Sequence, residues 1–201
     1  PSEDAVDNLR REGYRPDQIH LAGNVMVDTL FANLDRARAR PVLSQLGVGP
    51  QRYVLVTLHR PSNVDEPVTL AGIVGALNDL ADELDVVFPV HPRTRARLGE
   101  LVIAPRLQLV EPLGYLDFIA LQADARLVIT DSGGVQEETT MLGVPCLTAR
   151  ASTERPITVT SGSNRLVGAD PERILQAARE VLARRDASYP RPPLWDGHAA
   201  E

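Results

Sequence analysis

Short apolar runs alternate along this chain with stretches of helical periodicity. Between residues 53 and 148, five runs of four or five residues are apolar or β-branched apart from Gln108: 53–57, 86–90, 107–110, 127–130 and 144–148. These runs lack the in/out alternation of a half-exposed strand, and they are typical of parallel strands that helices cover on both faces. The pattern predicts that the five runs form a parallel sheet.

Segments with helical spacing of apolar residues separate the predicted strands. The first of them places five apolar residues on one helical face: Leu70, Ile73, Val74, Leu77 and Leu80. The other predicted helices are residues 94–101, 115–123, 135–142 and 172–182, the last after an N-cap and proline at Asp170-Pro171. We therefore predict a doubly wound α/β, Rossmann-like domain, in which ligands bind beyond the carboxyl ends of the strands.

The two ends of the chain differ from this regular part. Residues 1–50 are predicted to form a lead-in of helix, short strand (residues 19–22) and helix, with Ser2 as the first N-cap and Gly13 as a C-terminal glycine. Residues 51–187 form the predicted domain, and the proline-rich tail, residues 188–201, is expected to be irregular. Because Pro1 and Ser2 lead directly into a helix, we expect the sequence to start near an internal boundary of a longer protein.

Composition narrows the classes of function. The chain carries 21 Lys and Arg against 27 Asp and Glu, a net charge of −6, which disfavours nucleic acid as a partner. The single cysteine, Cys146, excludes a disulfide framework and a thiolate metal site, so a reducing, cytoplasmic environment is expected. No apolar run approaches the roughly 20 residues of a membrane span, and a membrane association is not expected.

The segment TDSGGVQEE, residues 130–138, carries the strongest local chemical signal. A strand runs here into Gly133 and Gly134 and then into a helix, so a phosphate can approach the free amides and the positive end of the helix dipole. A tight glycine turn without a ligand is the alternative. One turn further, Glu138 is placed to accept two hydrogen bonds from a ribose diol, or else to be a solvated glutamate on the helix surface.

Histidine and arginine follow two of the predicted strands. His59 and Arg60 come directly after the first strand, and His91 and Arg93 come after the second. Both residue types donate hydrogen bonds to phosphate, and parallel strands end at one edge of a sheet, so an anionic ligand is indicated. A lone histidine is more often packed or surface-exposed than bound to a ligand. Arg155 can pair with a phosphate or belong to a structural ion-pair network.

Seven segments, taken together and in order, resemble the UDP-N-acetylglucosamine 2-epimerase family. They are VLVTLHRPSNV, VVFPVHPRTR, EPLGYLDFIAL, LVITDSGGVQEE, GVPCL, STERPITVTSGSNRLVG and WDGHA. The pair TDSGGxQEE and TERP is the most specific, and LRREGYRPDQIHLAGNVMVDTL resembles the family's connection between its two domains. The resemblance covers nearly the whole chain and implies a GT-B architecture, with this chain as the C-terminal domain and an N-terminal domain as its partner.

The resemblance also implies roles for individual residues. The ligands that it implies are Ser132, Gly133 and Gly134 for the pyrophosphate, Glu138 for the ribose hydroxyls, Arg155 and His59 for the phosphate groups, and Phe118 with the Leu113 backbone for the uracil. From the residues alone, Phe118 most simply packs in the core. In bacterial members of the family, the positions of Arg60 and His91 contact a second, regulatory UDP-N-acetylglucosamine.

The family's reaction inverts C2 of the sugar to give UDP-N-acetylmannosamine, by anti elimination and re-addition of UDP. It needs no cofactor or metal. His59 is the expected catalytic residue here, because it would stabilise charge on the leaving UDP. The acidic residues that move the C2 proton belong in the family to the N-terminal domain. We therefore expect the 201-residue chain to bind UDP weakly without turnover, and the full-length enzyme to be a homodimer.

Three other functions stay open at this point. A UDP-sugar glycosyltransferase of the same architecture would share the diphosphate loop and the ribose carboxylate, although TERP and the His59-Arg60 loop favour the epimerase. A hydrolysing epimerase would release UDP and the free sugar. A non-catalytic nucleotide-binding or sensory domain would keep the binding residues alone.

Overall fold

A computed structural model of the protein describes residues 1–99, 101–184 and 188–201. Its centre is a six-stranded sheet of order β3-β2-β1-β4-β5-β6, in which all neighbouring strands are parallel. The strands are β1 Tyr53–Thr57, β2 Asp85–Pro89, β3 Leu107–Val110, β4 Leu127–Thr130, β5 Cys146–Thr148 and β6 Asn164–Leu166.

The direction in which strands are added to the sheet reverses between β1 and β4. From β1 the chain adds β2 and β3 on one side, and it then returns to add β4, β5 and β6 on the other side. β1 and β4 stay in register up to the pair Thr57 and Thr130, so both strands end at the same level. The loops that follow them diverge, and a crevice forms beyond such a switch point.

Helices cover both faces of the sheet, as the apolar runs require. Within the described ranges they are α1 Glu3–Arg11, α2 Val25–Arg38, α3 Val42–Gln45, α4 Pro61–Val64, α5 Pro67–Ala81, α6 Pro92–Leu98, α7 Tyr115–Asp124, α8 Gly133–Leu142, α9 Ile157–Thr160 and α10 Pro171–Leu182. α5 and α10 pack on one face, below called the α5 face, against Val54 and Val56. α2, α7 and α8 pack on the other, the α2 face, against Tyr53 and Leu55.

The lead-in and the tail both pack on the α2 face. Trp195 of the tail is 3% exposed and lies in the same core cluster as buried residues of α2. Its indole N–H donates to the carbonyl of Pro1 at 2.9 Å, and the amide of Ala200 donates to Asp28 of α2 at 2.8 Å. The two ends of the chain therefore share one core with the sheet.

The five predicted strands and the five predicted helices between and after them are confirmed, with small shifts. Strands 86–90 and 144–148 are Asp85–Pro89 and Cys146–Thr148, and helix 94–101 is Pro92–Leu98. Residue 100 and the expected domain end at residue 187 lie outside the described residues. Asp170 caps α10 as predicted, because its carboxylate accepts from the amides of Glu172 and Arg173 at 3.0 and 3.3 Å.

Two details of the lead-in differ from the prediction, and one strand was not predicted. Residues 19–22 form no strand, because no other strand pairs with them. Ser2 lies at the N-cap position of α1 but its side chain makes no capping hydrogen bond. The sixth strand, β6, was not expected, since it has only three residues, two of them polar, and no apolar run marks it.

Within the described ranges, no helix combines the length and apolar character that a membrane crossing requires.

The two glycines of α5 provide a test of how α5 packs on α10. A Cβ on Gly72 would lie 2.7 Å from Cγ of Pro171, whereas a Cβ on Gly75 would meet nothing within 4 Å. We expect Gly75→Ala to raise the free energy of unfolding by about 1 kcal/mol, because alanine is the better helix former. Gly72→Ala should lower it by about 1–3 kcal/mol through overpacking. Urea titration measures both, and equal effects of the two substitutions would contradict the close contact.

Candidate functional site

Asp131, the first residue after β4, ties together the loops at the switch point. Its side chain is 0% exposed. Its carboxylate accepts hydrogen bonds from the amides of His59 and Arg60, at 3.0 and 2.8 Å, and from Nδ2 of Asn63 at 3.0 Å. A buried carboxylate needs such donors because it has lost its water. The loop after β1 is thereby fixed against the end of β4.

The ring of His59 lies against the same carboxylate. Its Nδ1 is 2.8 Å from Oδ1 of Asp131. This hydrogen bond raises the pKa of His59 above its ordinary value. Burial acts to raise the pKa of Asp131, but the hydrogen bonds from His59 and from the Arg60 amide outweigh it and hold that pKa below its usual range. With Nδ1 facing Asp131 and 41% of the side chain exposed, Nε2 is the nitrogen that can meet a ligand.

The N-terminus of α8 is open. A Cβ on Gly134 would meet nothing within 4 Å, and a Cβ on Gly133 would meet only Cγ of Arg155, at 3.8 Å. Ser132 occupies the N-cap position, and its hydroxyl makes no capping hydrogen bond. Among the described residues, the amides of Gly133 and Gly134 have no hydrogen-bond acceptor, and both residues are partly exposed. The first amides of this ten-residue helix are therefore free to bind an anion, with an arginine beside them.

A buried carboxylate holds Arg155 beside this helix end. Nε of Arg155 lies 2.8 Å from Oε1 of Glu137, as an ion pair whose N–H is not aligned for a hydrogen bond. Nδ2 of Asn24, from the lead-in, donates to the same oxygen at 3.0 Å. Burial raises the pKa of Glu137, while Arg155 and Asn24 act to lower it. Arg155 stays 42% exposed, so its guanidinium remains accessible to a ligand.

A second set of buried polar groups fixes the segment that carries Arg155. Oε1 of Gln136 accepts from the hydroxyl of Thr153 at 2.6 Å and from Nδ2 of Asn164 at 3.1 Å. The hydroxyl of Thr153 in turn accepts from the amide of Arg155 at 3.0 Å. α8 and β6 thus position the TERP segment, which explains why a three-residue strand belongs to the site.

Glu138 lies one turn into α8 and faces α7. It is 5% exposed, so the alternative of a solvated surface glutamate is wrong. The hydroxyl of Tyr115 donates to Oε1 at 3.0 Å, and Nε2 of Gln122 donates to Oε2 at 2.6 Å. Burial raises the pKa of Glu138, and these two hydrogen bonds oppose the rise. Its role toward a ribose stays a prediction.

The two residues predicted to hold the base lie on and just before α7. Phe118 and Leu113 are both half-buried and pack against the core of the α2 face. Tyr115, one turn before Phe118, is 40% exposed and is the more accessible aromatic side chain. The uracil contact of Phe118 and Leu113 stays a prediction.

The two residues predicted to be regulatory lie on either side of His59. The ring of His91 is 5.7 Å from that of His59, and its Nδ1 accepts from the amide of Arg93 at 3.2 Å. Arg60 donates from Nε to the carbonyl of Asp131 at 3.1 Å, and Nη1 is 3.5 Å from Glu154. Both residues thus have structural partners already, and their regulatory role stays a prediction.

A cavity of about 350 Å³ opens beside Arg60, lined further by Ser62, Asn63, Arg150, Ala151, Ser152 and Ala169. Arg150 makes a bidentate hydrogen bond with Glu154 there, at 2.6 and 2.7 Å, which lowers the pKa of Glu154 to about 2.

Among the residues that the structure describes, no group of three or more His, Cys, Asp or Glu side chains is arranged to hold a metal ion.

The chain is similar in sequence and fold to sugar-nucleotide epimerases. The family model described as UDP-N-acetylglucosamine 2-epimerase matches residues 1–201. The UDP-N-acetylglucosamine 2-epimerase of Methanococcus maripaludis is 37% identical over 213 residues, which cover 100% of this chain and 57% of its own length. A UDP-2,3-diacetamido-2,3-dideoxy-D-glucuronate 2-epimerase of Pseudomonas aeruginosa is 41% identical over 188 residues, covering 92% of this chain and 52% of its own.

A solved relative has the same architecture. The crystal structure of the Methanocaldococcus jannaschii UDP-GlcNAc 2-epimerase in complex with UDP-GlcNAc and UDP matches with a TM-score of 0.86 and 37% identity, over 100% of this chain and 58% of that one. The predicted fold, a Rossmann-like domain of a GT-B architecture, is confirmed. The chain spans a little over half the length of these relatives, and it belongs to the UDP-N-acetylglucosamine 2-epimerase family.

Proposed function

We propose that this chain is the nucleotide-sugar-binding half of a UDP-N-acetylglucosamine 2-epimerase. The observation that carries the proposal is the open N-terminus of α8, where Gly133 and Gly134 leave room for a diphosphate and Arg155 stands beside it. The M. jannaschii relative was crystallised with UDP-GlcNAc and UDP, which supports the same class of ligand here. Ser132, Gly133 and Gly134 hold the pyrophosphate in this proposal, with Arg155 as its cation.

In the proposed reaction a base removes the proton from C2 of the sugar, and its electron pair forms a C1–C2 double bond. The C1–O bond breaks, and UDP leaves with that electron pair as its negative charge grows. Protonated His59 donates from Nε2 to the phosphate, and the α8 amides and Arg155 stabilise the same charge. UDP then adds back to C1 as C2 takes a proton on the opposite face, which gives UDP-N-acetylmannosamine without a cofactor.

The acid and base for the C2 proton lie outside this chain in our proposal. Three carboxylates lie close to the crevice, and each already has partners: Asp131 with His59, Glu137 with Arg155, and Glu138 with Gln122. Engaged in this way, they are poorly suited to exchange protons with a sugar carbon. An N-terminal domain would supply those groups, so the chain alone binds UDP weakly and does not epimerise it.

The remaining parts of the proposal concern the cellular setting. We place the full-length enzyme in the cytoplasm as a homodimer that supplies a sugar nucleotide for cell-envelope polysaccharide. The buried thiol of Cys146, whose pKa burial raises to about 12, suits a protein without disulfides.

A second substrate is favoured by one observation. The P. aeruginosa relative that is 41% identical to this chain is named a UDP-2,3-diacetamido-2,3-dideoxy-D-glucuronate 2-epimerase. Both reactions use a UDP-sugar and invert C2, so this half would bind UDP in the same way in either case. Product analysis of a protein that contains this chain and the missing half, with each substrate and no acceptor, separates the two and also excludes a glycosyltransferase.

Substitution at the proposed anion site should weaken binding of UDP. We expect Arg155→Ala to lower the affinity of the 201-residue chain for UDP about tenfold or more, because a hydrogen bond to a charged group contributes about 1.5–3 kcal/mol. Isothermal titration calorimetry measures the effect. Arg165→Ala is the matched control, because Arg165 pairs with Glu180 at 2.6 Å and plays no part in the proposed site. Equal affinities of the wild type and Arg155→Ala would contradict the assignment.

The raised pKa of His59 predicts how ligand binding depends on pH. His59 favours protonation in the folded chain, and the protonated ring binds phosphate. Its contribution is therefore complete at low pH and is lost as the pH rises through the raised pKa. UDP-N-acetylglucosamine is the probe, because its diphosphate diester does not titrate in this range. We expect the ratio of the affinity of the wild type to that of His59→Gln to fall toward one as the pH rises from about 6 to about 9. This range brackets the ordinary histidine pKa of about 6.5 and a value raised above it.

The control for the pH titration is His20→Gln, since His20 is an exposed residue of the lead-in. Its profile should follow that of the wild type. A wild-type to His59→Gln ratio that stays constant across the pH range would show that the charge of His59 plays no part in binding.

A further inference from the structure

Two residues of α7 hold the carboxylate of Glu138 at a depth where a charge is costly. Gln122 is 0% exposed, Glu138 is 5% exposed and Tyr115 is 40% exposed. These three side chains form a line from the core to the surface, called here the α7 clamp (Tyr115, Gln122 and Glu138). No feature of the sequence pattern links the first two of them to the nucleotide.

The clamp uses one acceptor position on each carboxylate oxygen. The hydroxyl of Tyr115 donates to Oε1 at 3.0 Å, and Nε2 of Gln122 donates to Oε2 at 2.6 Å. A carboxylate has about four acceptor positions, so one remains on each oxygen. The two donors also restrict the rotation of the carboxylate, and a vicinal diol can donate one hydrogen bond to each of its oxygens.

The arrangement of Gln122 fits the ionised form of Glu138. Oε1 of Gln122 is buried and has no hydrogen-bond partner among the described residues. Leaving a buried acceptor unpaired is costly, and a short, charge-assisted bond from Nε2 to a carboxylate offsets that cost. If Glu138 were protonated, the amide would be expected to turn over and accept from its O–H.

We propose that Tyr115 and Gln122 are positioning residues that keep Glu138 an oriented, ionised acceptor for both ribose hydroxyls, and that the α7 clamp makes this site selective for ribonucleotides over 2′-deoxyribonucleotides. The inference rests on the proposed function, because Glu138 must meet the ribose of a bound nucleotide. A 2′-deoxyribose would leave one acceptor of a buried carboxylate unpaired, and sites of this kind reject analogues that lack the hydroxyl.

The groups around Glu138 also predict how the clamp variants respond to pH. Burial raises the pKa of Glu138, the bonds from Gln122 and Tyr115 lower it, and Glu137 on the same helix raises it further. Glu137 is itself paired with Arg155. Removal of the donor at Gln122 therefore raises the pKa of Glu138 further, so that Glu138 becomes protonated at a higher pH than in the wild type. The hydroxyl of Tyr115 stays protonated, because its own pKa is raised.

The test compares the affinities of the 201-residue chain for UDP and for 2′-deoxyuridine diphosphate. We expect the wild type to prefer UDP about tenfold or more, and Gln122→Leu to lose about tenfold in UDP affinity, in line with one lost bond to a charged group. Gln122→Leu should change the affinity for the deoxynucleotide much less, so that the preference largely disappears. The ratio of the UDP affinity of Gln122→Leu to that of the wild type should rise as the pH is raised, because His59 and the phosphate titrate alike in both proteins.

The control and the second variant keep the outcome clear. The control is Tyr53→Phe. It removes a buried hydroxyl that donates to the carbonyl of Leu121 in α7 at 2.5 Å, so it perturbs α7 without removing a contact to Glu138. This variant should keep the full preference for UDP. Tyr115→Phe should weaken the preference in the same direction as Gln122→Leu, and it carries the test if Gln122→Leu does not fold.

Different results separate the inference from the function on which it rests. Equal losses for both nucleotides in Gln122→Leu and in Tyr115→Phe, or an unchanged preference in both variants, would overturn the role of the clamp while UDP binding still stands. No binding of UDP to the folded wild type would remove the proposed function and the clamp together.

Discussion

The carboxylate of Asp131 makes the interaction on which the rest of the site depends. It lies where the sheet changes direction, and it accepts hydrogen bonds from two successive amides of the loop after β1. These bonds tie the loop that carries His59 to the residue that lies two positions before the helix starting at Gly133. A buried anion at this position also favours the protonated form of the neighbouring histidine, because the hydrogen bond raises the pKa of His59. One acidic group thus influences both the geometry and the protonation of this side of the crevice.

The acidic side chains around α8 each receive hydrogen bonds or an ion pair from a different part of the chain. Asp131 is met by the loop after β1, Glu137 by the lead-in and the TERP segment, and Glu138 by α7. This division explains how a chain with a net charge of −6 can offer a site for an anion. His59 and Arg155 lie against Asp131 and Glu137. In the proposed site, the free amides of α8 and the exposed part of Arg155 therefore present the field that a diphosphate would meet.

The fold was largely predictable, because its signals are local. Continuous apolar runs marked five strands, and Asp170 with Pro171 marked the start of a helix. β6 escaped because its place in the sheet comes from tertiary contacts of Asn164 rather than from a run of apolar residues. The site was predictable where its chemistry is local, as at Gly133 and Gly134. Contacts such as that of Asp131 with the amide of His59, 72 residues away, leave no pattern in one sequence.

Sequence reasoning had one usable signal for a residue that it missed. Asp131 is a charged residue directly after a buried strand, and such a residue must find donors when the chain folds. Gln122 and Asn24 carried no comparable signal, because an amide within a helix or before one is ordinary. Their importance comes only from the carboxylates that they meet, Glu138 and Glu137. The resemblance to a family suggested which ligand Glu138 and Arg155 would bind. Only the packing in the structure revealed the side chains that hold them in place.

The central claim is that a diphosphate binds on the first amides of α8. A crystal structure of this chain with UDP tests it most directly. The account predicts phosphate oxygens within hydrogen-bond distance, about 2.7–3.2 Å, of the Gly133 and Gly134 amides, with the Arg155 guanidinium alongside. A nucleotide bound elsewhere, with those amides still facing solvent, would contradict it.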